Sequence, residues 1–421
     1  MNSSQRRISD LNTRLHKASK KVRILRHLSW APSIKATFFS QNAQQIPQVD
    51  YPQYDPKEVL ELVDTVFEQL DDSPLDRWLK RQGDVIATGA RMLSHCGTKD
   101  FFDHSKQLYG APTDPLIDGL STSLDLAQQF DTLIDSFSSI DLGAPEDACH
   151  LAQTVAEKMR TVVALAFGDD APKISVESDL SANAIAGARR IRIREGACFT
   201  DRDIVQLINH EAHIHVGTSL NGLAQTHLPL LAASHPGTTR TQEGLAVFAE
   251  FITGTMDIDR MRRLSDRVLG IQMAVDGADF VTVYQYFLKR VSDKEQAFEN
   301  TRRVFRGGVL SGGAPFTKDN VYLDGLVRVH NFFRAIVATK RVDCLPLLFC
   351  GKLDLEDIPI LCGLSNEGLC IAPKYLPPWA QDKRFLLSYL AYSSFLNGVD
   401  MTKVKAHYNG LLENTPTVVS A

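Results

Sequence analysis

The chain has 421 residues, 44% of them apolar, with 46 Lys and Arg against 50 Asp and Glu and a formal net charge of −4. That length and apolar share can build a sizeable core, which excludes a mostly disordered chain. The near-balanced charge excludes a global electrostatic pull toward nucleic acid or an anionic membrane surface, and leaves a small or peptide-like substrate as the default.

The opening "MNSSQRRISDLN" carries no apolar leader-like segment, and no later stretch approaches about 18 uninterrupted apolar residues. No membrane span and a cytoplasmic location are therefore expected. Seven cysteines, at positions 96, 149, 198, 344, 350, 362 and 370, form no CxxC spacing. The odd count and the scatter point to reduced thiols rather than a disulfide framework or a thiolate metal site.

Apolar Ile8, Leu11, Leu15, Ala18, Val22 and Leu25 recur in steps of three and four, the seam of an amphipathic helix. Its other face is basic, with eight Lys or Arg between Arg6 and Arg26 against the single acid Asp10. A solvated face on a docked helix is the plain reading, and an anionic partner is the alternative. The polar, proline-bearing stretch 40–56 reads as a surface connector, with Pro56 suited to the start of a new helix. Helical patterns then dominate to Gly168, interrupted by the loop "YGAPTDPLIDG".

After Gly168 the period changes. "KISVES" and "ARRIRIRE" alternate apolar and polar residues, as half-buried strands do. Thr200 with Asp203 forms a capping-box pattern that opens a helix, and Gly217 is expected to close it. A further helix is expected from near Thr241 through "EGLAVFAEFITG", and more helices fill the remainder. The expected fold class is α+β, mainly helical, with a small, mostly antiparallel sheet. Residues 1–168 form a helical N-terminal region and residues 169–421 the catalytic region.

The chemistry is concentrated in "INHEAHIHVG", which places three histidines and a glutamate between His210 and His215. Zinc takes imidazole and carboxylate ligands, and a hydrolytic site keeps one position open for water. The HExxH solution would need a histidine at 214, where Ile214 stands. His210 and His213 lie about 60° apart around a regular helix and can share a metal, whereas His210 and His215 lie about 140° apart. Spacing thus mildly prefers His213, although a π-bulge would bring His215 back to the same side. Glu243, 32 residues after Glu211, is the natural third ligand. Glu250, one heptad further on, falls on the same helix face and is placed to orient a ligating histidine from behind.

"HEAHIH" followed by "TQEGLAVFAE" resembles the flavohaemoglobin expression-modulating QEGLA-motif proteins, relatives of the microtubule-associated tyrosine carboxypeptidases. The likeness extends to "LSWAPSIKATFF", "FFDHSKQLYGAP", "SANAIAGARRIRIREGACFT", "RVFRGG" and "PFTKDNVYLDGLVRV". It implies a gluzincin-like catalytic region built on HExxxH, with one Zn2+ held by His210, His215 and Glu243 and with Glu211 as catalytic base. It overrules the spacing preference, leaving His213 as an interior position and requiring a bulged or kinked helix.

The implied activity is carboxypeptidase-type hydrolysis with a zinc-activated water, acting on the C-terminus of a peptide or protein. Such an enzyme needs a cation for the substrate α-carboxylate and a donor near the developing oxyanion. Arg306, Lys318 and Tyr322, in the family-like strings, are the candidates. The "RRIRIRE" strand is similar to the edge strand with which zinc peptidases hold an extended peptide, although alternation alone accounts for Arg192 as a solvent-facing residue. Two rival readings share the ligands: a metal-binding regulatory or interaction protein without turnover, and a facial-triad iron protein. Glu211 beside a ligand argues against both.

Overall fold

The computed structural model describes residues 3–137, 140, 149–178, 180, 182–291, 293–413 and 415. It is mainly helical, as expected, with five short strands among the described residues. No helix among those residues is long and apolar enough to cross a membrane.

The N-terminal helix spans Ser3–Ser19 and buries Ile8, Leu11, Leu15 and Ala18 in the main core. It stops earlier than the apolar seam suggested. A short turn of helix, Ile24–His27, follows, so Val22 stays buried while Leu25 turns out to solvent at 47% exposure. The stretch before Lys57 is irregular, and the helix Lys57–Phe67 begins directly after Pro56. Ser123–Ser136 is opened by a capping box between Thr122 and Asp125. Most of the "PEDACH" lead-in to the helix Ala152–Phe167 lies outside the described residues.

Strands β1 (His150–Leu151), β2 (Lys173–Glu177), β3 (Ala184–Gly187), β4 (Arg190–Arg194) and β5 (Cys198–Phe199) form two small sheets. β1 pairs antiparallel with β5, and the three-stranded sheet has the order β2-β4-β3. β2 runs parallel to β4 and β3 antiparallel to it, so two of the three described pairings are antiparallel. Ile191 and Ile193 of β4 point into a core shared with Val155, Met159 and Val163, while its arginines face out, as alternation demands.

β4 is therefore the central strand, and the expectation that "RRIRIRE" is the edge is corrected. Both its backbone edges are consumed by β2 and β3, and Arg190 and Arg192 lie beside Glu177 at 3.7 and 3.6 Å. The edge strand next to the candidate site is β3.

The cysteines also depart from expectation. Cys149 and Cys198 form a disulfide beside the β1–β5 ladder, joining chain segments 49 residues apart. Neither residue belongs to a spacing motif, so tertiary placement alone brings them together. The remaining five cysteines are free.

Candidate metal centre

One continuous helix carries the histidines, and it changes pitch twice. It is α-helical over Asp201–Leu207, π-helical over Ile208–Val216 and α-helical again over Gly217–Leu223. The Thr200–Asp203 capping box opens it as expected. Gly217 does not close it: its φ of −54° and ψ of −52° are ordinary helix. The histidine cluster therefore sits mid-helix, flanked on both sides by regular turns.

The π-turns solve the spacing problem. Hydrogen bonds from i to i+5 place residues five apart over one another. The His210 and His215 rings consequently meet with centroids 4.9 Å apart. The carbonyls loosened by the wide turn find side-chain donors, with Thr218 Oγ1 2.7 Å from Ile214 O and Ser219 Oγ 2.5 Å from His215 O. Burial fixes the rotation of the helix. Ala212 and Val216 pack under the sheet and Ile214 enters the main core, which turns His210, Glu211 and His215 toward a cleft of about 670 Å³.

His213 does not line that cleft. Burial alone pushes its pKa down to about 4, so it is a neutral, packed imidazole. The regular-helix preference for His213 fails because the helix is not regular.

Glu243 comes from the helix Pro236–Ile252, which starts five residues before the expected Thr241 because Pro236 occupies its first turn. Glu243 thus lies two turns in, not in the first turn. The residues around it explain the string "QEGLA". Gln242 Oε1 lies 2.9 Å from the Thr218 hydroxyl, tying this helix to the histidine helix. A Cβ on Gly244 would come within 2.3 Å of Gly325 O, so the helix Val321–Ala338 crosses there backbone to backbone. Leu245 and Ala246 are fully buried.

His210 Nε2 and His215 Nε2 stand 3.7 and 3.6 Å from Glu243 Oε2, too far for hydrogen bonds. One ligand atom from each of the three residues falls within 4.8 Å of the others. Ligands about 2.0–2.1 Å from a tetrahedral zinc are about 3.4 Å apart, so the donor set and its separations fit that ion.

The opposite nitrogen of His210 is fixed from behind. His210 Nδ1 meets Glu250 Oε1 at 2.6 Å, and Glu250 is fully buried. Arg260 grips both Glu250 oxygens, Nε at 2.7 Å and Nη2 at 2.9 Å, and Gln206 Nε2 adds a bond at 2.9 Å. Burial alone would raise the Glu250 pKa, but Arg260 and His210 hold it down at about 2. A carboxylate behind a histidine sets the tautomer that leaves Nε2 free for a metal. Glu243 is likewise held ionised, well below the usual carboxylate range: burial opposes this, and Lys318 and the two histidines prevail.

The three candidates in the family-like strings all line the cleft, in different states. Lys318 Nζ is already engaged, 3.2 Å from Glu243 Oε1. Arg306 is buried, its Nε has no hydrogen-bond partner among the described residues, and burial with Arg303 nearby pushes its pKa down to about 10. The Tyr322 hydroxyl accepts from Arg303 at 3.3 Å, which leaves its own proton free. Arg303 in turn donates to Asp319 at 2.5 Å.

Sequence reading missed two cleft residues. Lys352 donates to Ser234, and burial pushes its pKa down to about 8 although Glu243 and Glu211 are close. His235 is buried, with Nδ1 unpartnered among the described residues. Neither stands in a motif; both arrive by tertiary packing.

A family model described as microtubule-associated tyrosine carboxypeptidase matches residues 36–398. The chain belongs to that family. No curated protein sequence matches it. Membership supports a carboxypeptidase-type peptidase and is consistent with a peptide or protein C-terminus as substrate. The match takes in the histidine helix, Glu243, Glu250 and the Arg306–Tyr322 segment, so every family-derived site residue falls inside it.

Proposed function

We propose that this protein is a zinc-dependent carboxypeptidase of the QEGLA-motif type, with one Zn2+ held by His210, His215 and Glu243. The observation that carries the reading is the π-turn. It aims two histidines five residues apart at one carboxylate oxygen, 3.7 and 3.6 Å away, and sets Glu211 on the same cleft wall. A helix keeps such an irregularity where function needs it.

When bound, zinc acts as a Lewis acid on the scissile carbonyl and lowers the pKa of a coordinated water. The protein's own groups do the rest. Glu211 accepts the proton of the attacking water on a carboxylate oxygen and delivers it to the departing amine nitrogen. Tyr322 offers its free hydroxyl proton to the oxyanion, where preorganised donors contribute most. Arg306, a buried cation whose Nε has no hydrogen-bond partner among the described residues, receives the substrate α-carboxylate. Lys318 keeps Glu243 ionised rather than binding substrate. β3, whose Ala184–Ala186 line the cleft and whose outer edge is unpaired among the described residues, offers main-chain groups to an extended peptide.

The test combines metal analysis of purified protein with mass-spectrometric screening of a peptide library, comparing wild type with Glu211→Gln. Stoichiometric zinc in both, with C-terminal cleavage only by wild type, is expected. His215→Ala should abolish zinc binding and His213→Ala should retain it. Zinc in wild type without cleavage of any peptide would instead favour a non-catalytic metal-binding protein.

A further inference from the structure

Four of the seven cysteines fall between Cys344 and Cys370, and the fold pairs them across two segments. Cys344 lies in the 3-10 helix Val342–Phe349 and Cys350 directly after it, while Cys362 lies in the helix Ile358–Asn366 and Cys370 beyond its end. The Cys344 and Cys362 sulfurs are 3.7 Å apart, and the Cys350 and Cys370 sulfurs are also 3.7 Å apart. Among the described residues no further ligand joins either pair into a metal cluster, so these are dithiols rather than thiolate metal sites.

The two pairs differ in what can reach them. Cys350 and Cys370 are 0% and 2% exposed, packed beside Gln225, whose amide bonds both Cys350 O and Ile371 O. Thiols buried in this way are inert. Cys362 is half-buried at the surface, with Cys344 in contact behind it.

A guanidinium rests on this outer pair. Arg341 Nη2 lies 3.2 Å from Cys344 Sγ, and Asp343 holds the same guanidinium at 2.9 and 3.0 Å. The backbone delivers it there. The helix Val321–Ala338 ends in a Schellman turn, with Lys340 at a φ of 60° and Arg341 N donating to Ile336 O at 2.8 Å. Burial first, then Cys362 and Asp343, push the Cys344 pKa up to about 11. Cys344 therefore keeps its proton, and the more exposed Cys362 is the sulfur that meets an oxidant.

We propose that Cys344 and Cys362 are a site of oxidative modification that takes a hydroperoxide and closes to an intrachain disulfide. The proposal does not depend on the peptidase reading. The Cys362 sulfur attacks one peroxide oxygen, the O–O bond breaks, and the departing oxygen takes the thiol proton and leaves as an alcohol or water. Cys344 then attacks the Cys362 sulfenic sulfur, its proton goes to the hydroxyl that leaves as water, and the S–S bond forms. The two sulfurs together lose the two electrons that the O–O bond gains. Arg341 stands beside the sulfur on which charge develops as Cys344 gives up its proton. Closing from 3.7 Å to the about 2.0 Å of a disulfide moves each sulfur by roughly 0.8 Å, within the reach of side-chain rotation. The loop so closed contains Lys352, a residue of the metal cleft.

Hydrogen peroxide is the probe. Purified wild type is treated with it, the remaining thiols are alkylated in denaturant, and peptides are mapped by mass spectrometry without reduction. Cys96, half-buried with its sulfur 3.4 Å from Leu93 O, is a single thiol that serves as internal reference. Alkylation of Cys344 and Cys362 should be lost together, with both recovered in one crosslinked peptide pair before Cys96, Cys350 or Cys370 reacts. C344S should stop at a Cys362 sulfenic acid that dimedone traps, and C362S should leave Cys344 alkylatable. Should either variant fail to fold, the wild-type map decides alone. Oxidation of Cys96 while Cys344 and Cys362 stay alkylatable, or a Cys350–Cys370 crosslink that forms first, overturns the proposal.

Discussion

At the scale of single residues, the candidate centre depends on a partner two contacts from the substrate. Glu250 is buried with Arg260 bidentate on one side and His210 Nδ1 on the other. Removing its charge weakens the orientation and basicity of His210 and leaves Arg260 buried without a counter-ion. Glu250→Gln is therefore expected to cost about 10- to 100-fold in zinc affinity, read by competition with a chelator. Unchanged affinity with a lowered unfolding midpoint would show that Glu250 serves Arg260 alone. Glu250 was legible in the sequence because it shares a helix face with Glu243 at a spacing of seven. Arg260 was not, because nothing in the spacing says that its helix, Ile258–Val275, folds back onto that face.

At the scale of elements, two departures from regularity place the chemistry. One is the π-turn, which residue spacing could state only as a requirement. Regular geometry preferred His213, and the companion string "QEGLA" was needed to shift the choice. The other is the Gly244–Gly325 crossing, which sets the height of Glu243 relative to the histidines. Gly244→Ala would put a methyl group within 2.3 Å of Gly325 O, where backbone cannot yield without moving the helix. Overpacking of this kind costs typically about 1–3 kcal/mol. A lowered thermal midpoint together with reduced zinc retention is expected, since Glu243 must move with the helix. A variant with wild-type stability and zinc content would mean that the crossing has slack. A helix start marked by local chemistry, the Thr200 capping box, was readable in advance. Gly217 was misread because a glycine inside a helix looks the same in sequence as one that ends it.

At the scale of the whole molecule, the cleft gathers Lys20, Glu211, Glu243, Arg306 and Lys352 from segments more than 300 residues apart. Local patterns could not foresee that gathering, nor the Cys149–Cys198 bond. Its electrostatic consequence is visible in His235, which lines the cleft and is 4% exposed. Burial first, then Lys352 and His16, push its pKa from 6.5 down to about 4. The unfolded chain therefore binds this proton more readily than the folded one between pH 6.5 and 4. Stability rises with pH across that window, and acidification removes on the order of 3 kcal/mol through this group. His213, also pushed down to about 4, acts with the same sign, so the two must be separated by substitution. Denaturant unfolding of His235→Gln across pH 4–7 should show a shallower acid limb than wild type, with the two curves converging in slope above pH 7. Parallel curves throughout would mean that His235 is protonated in the folded cleft, with its charge met by a group that burial alone does not reveal.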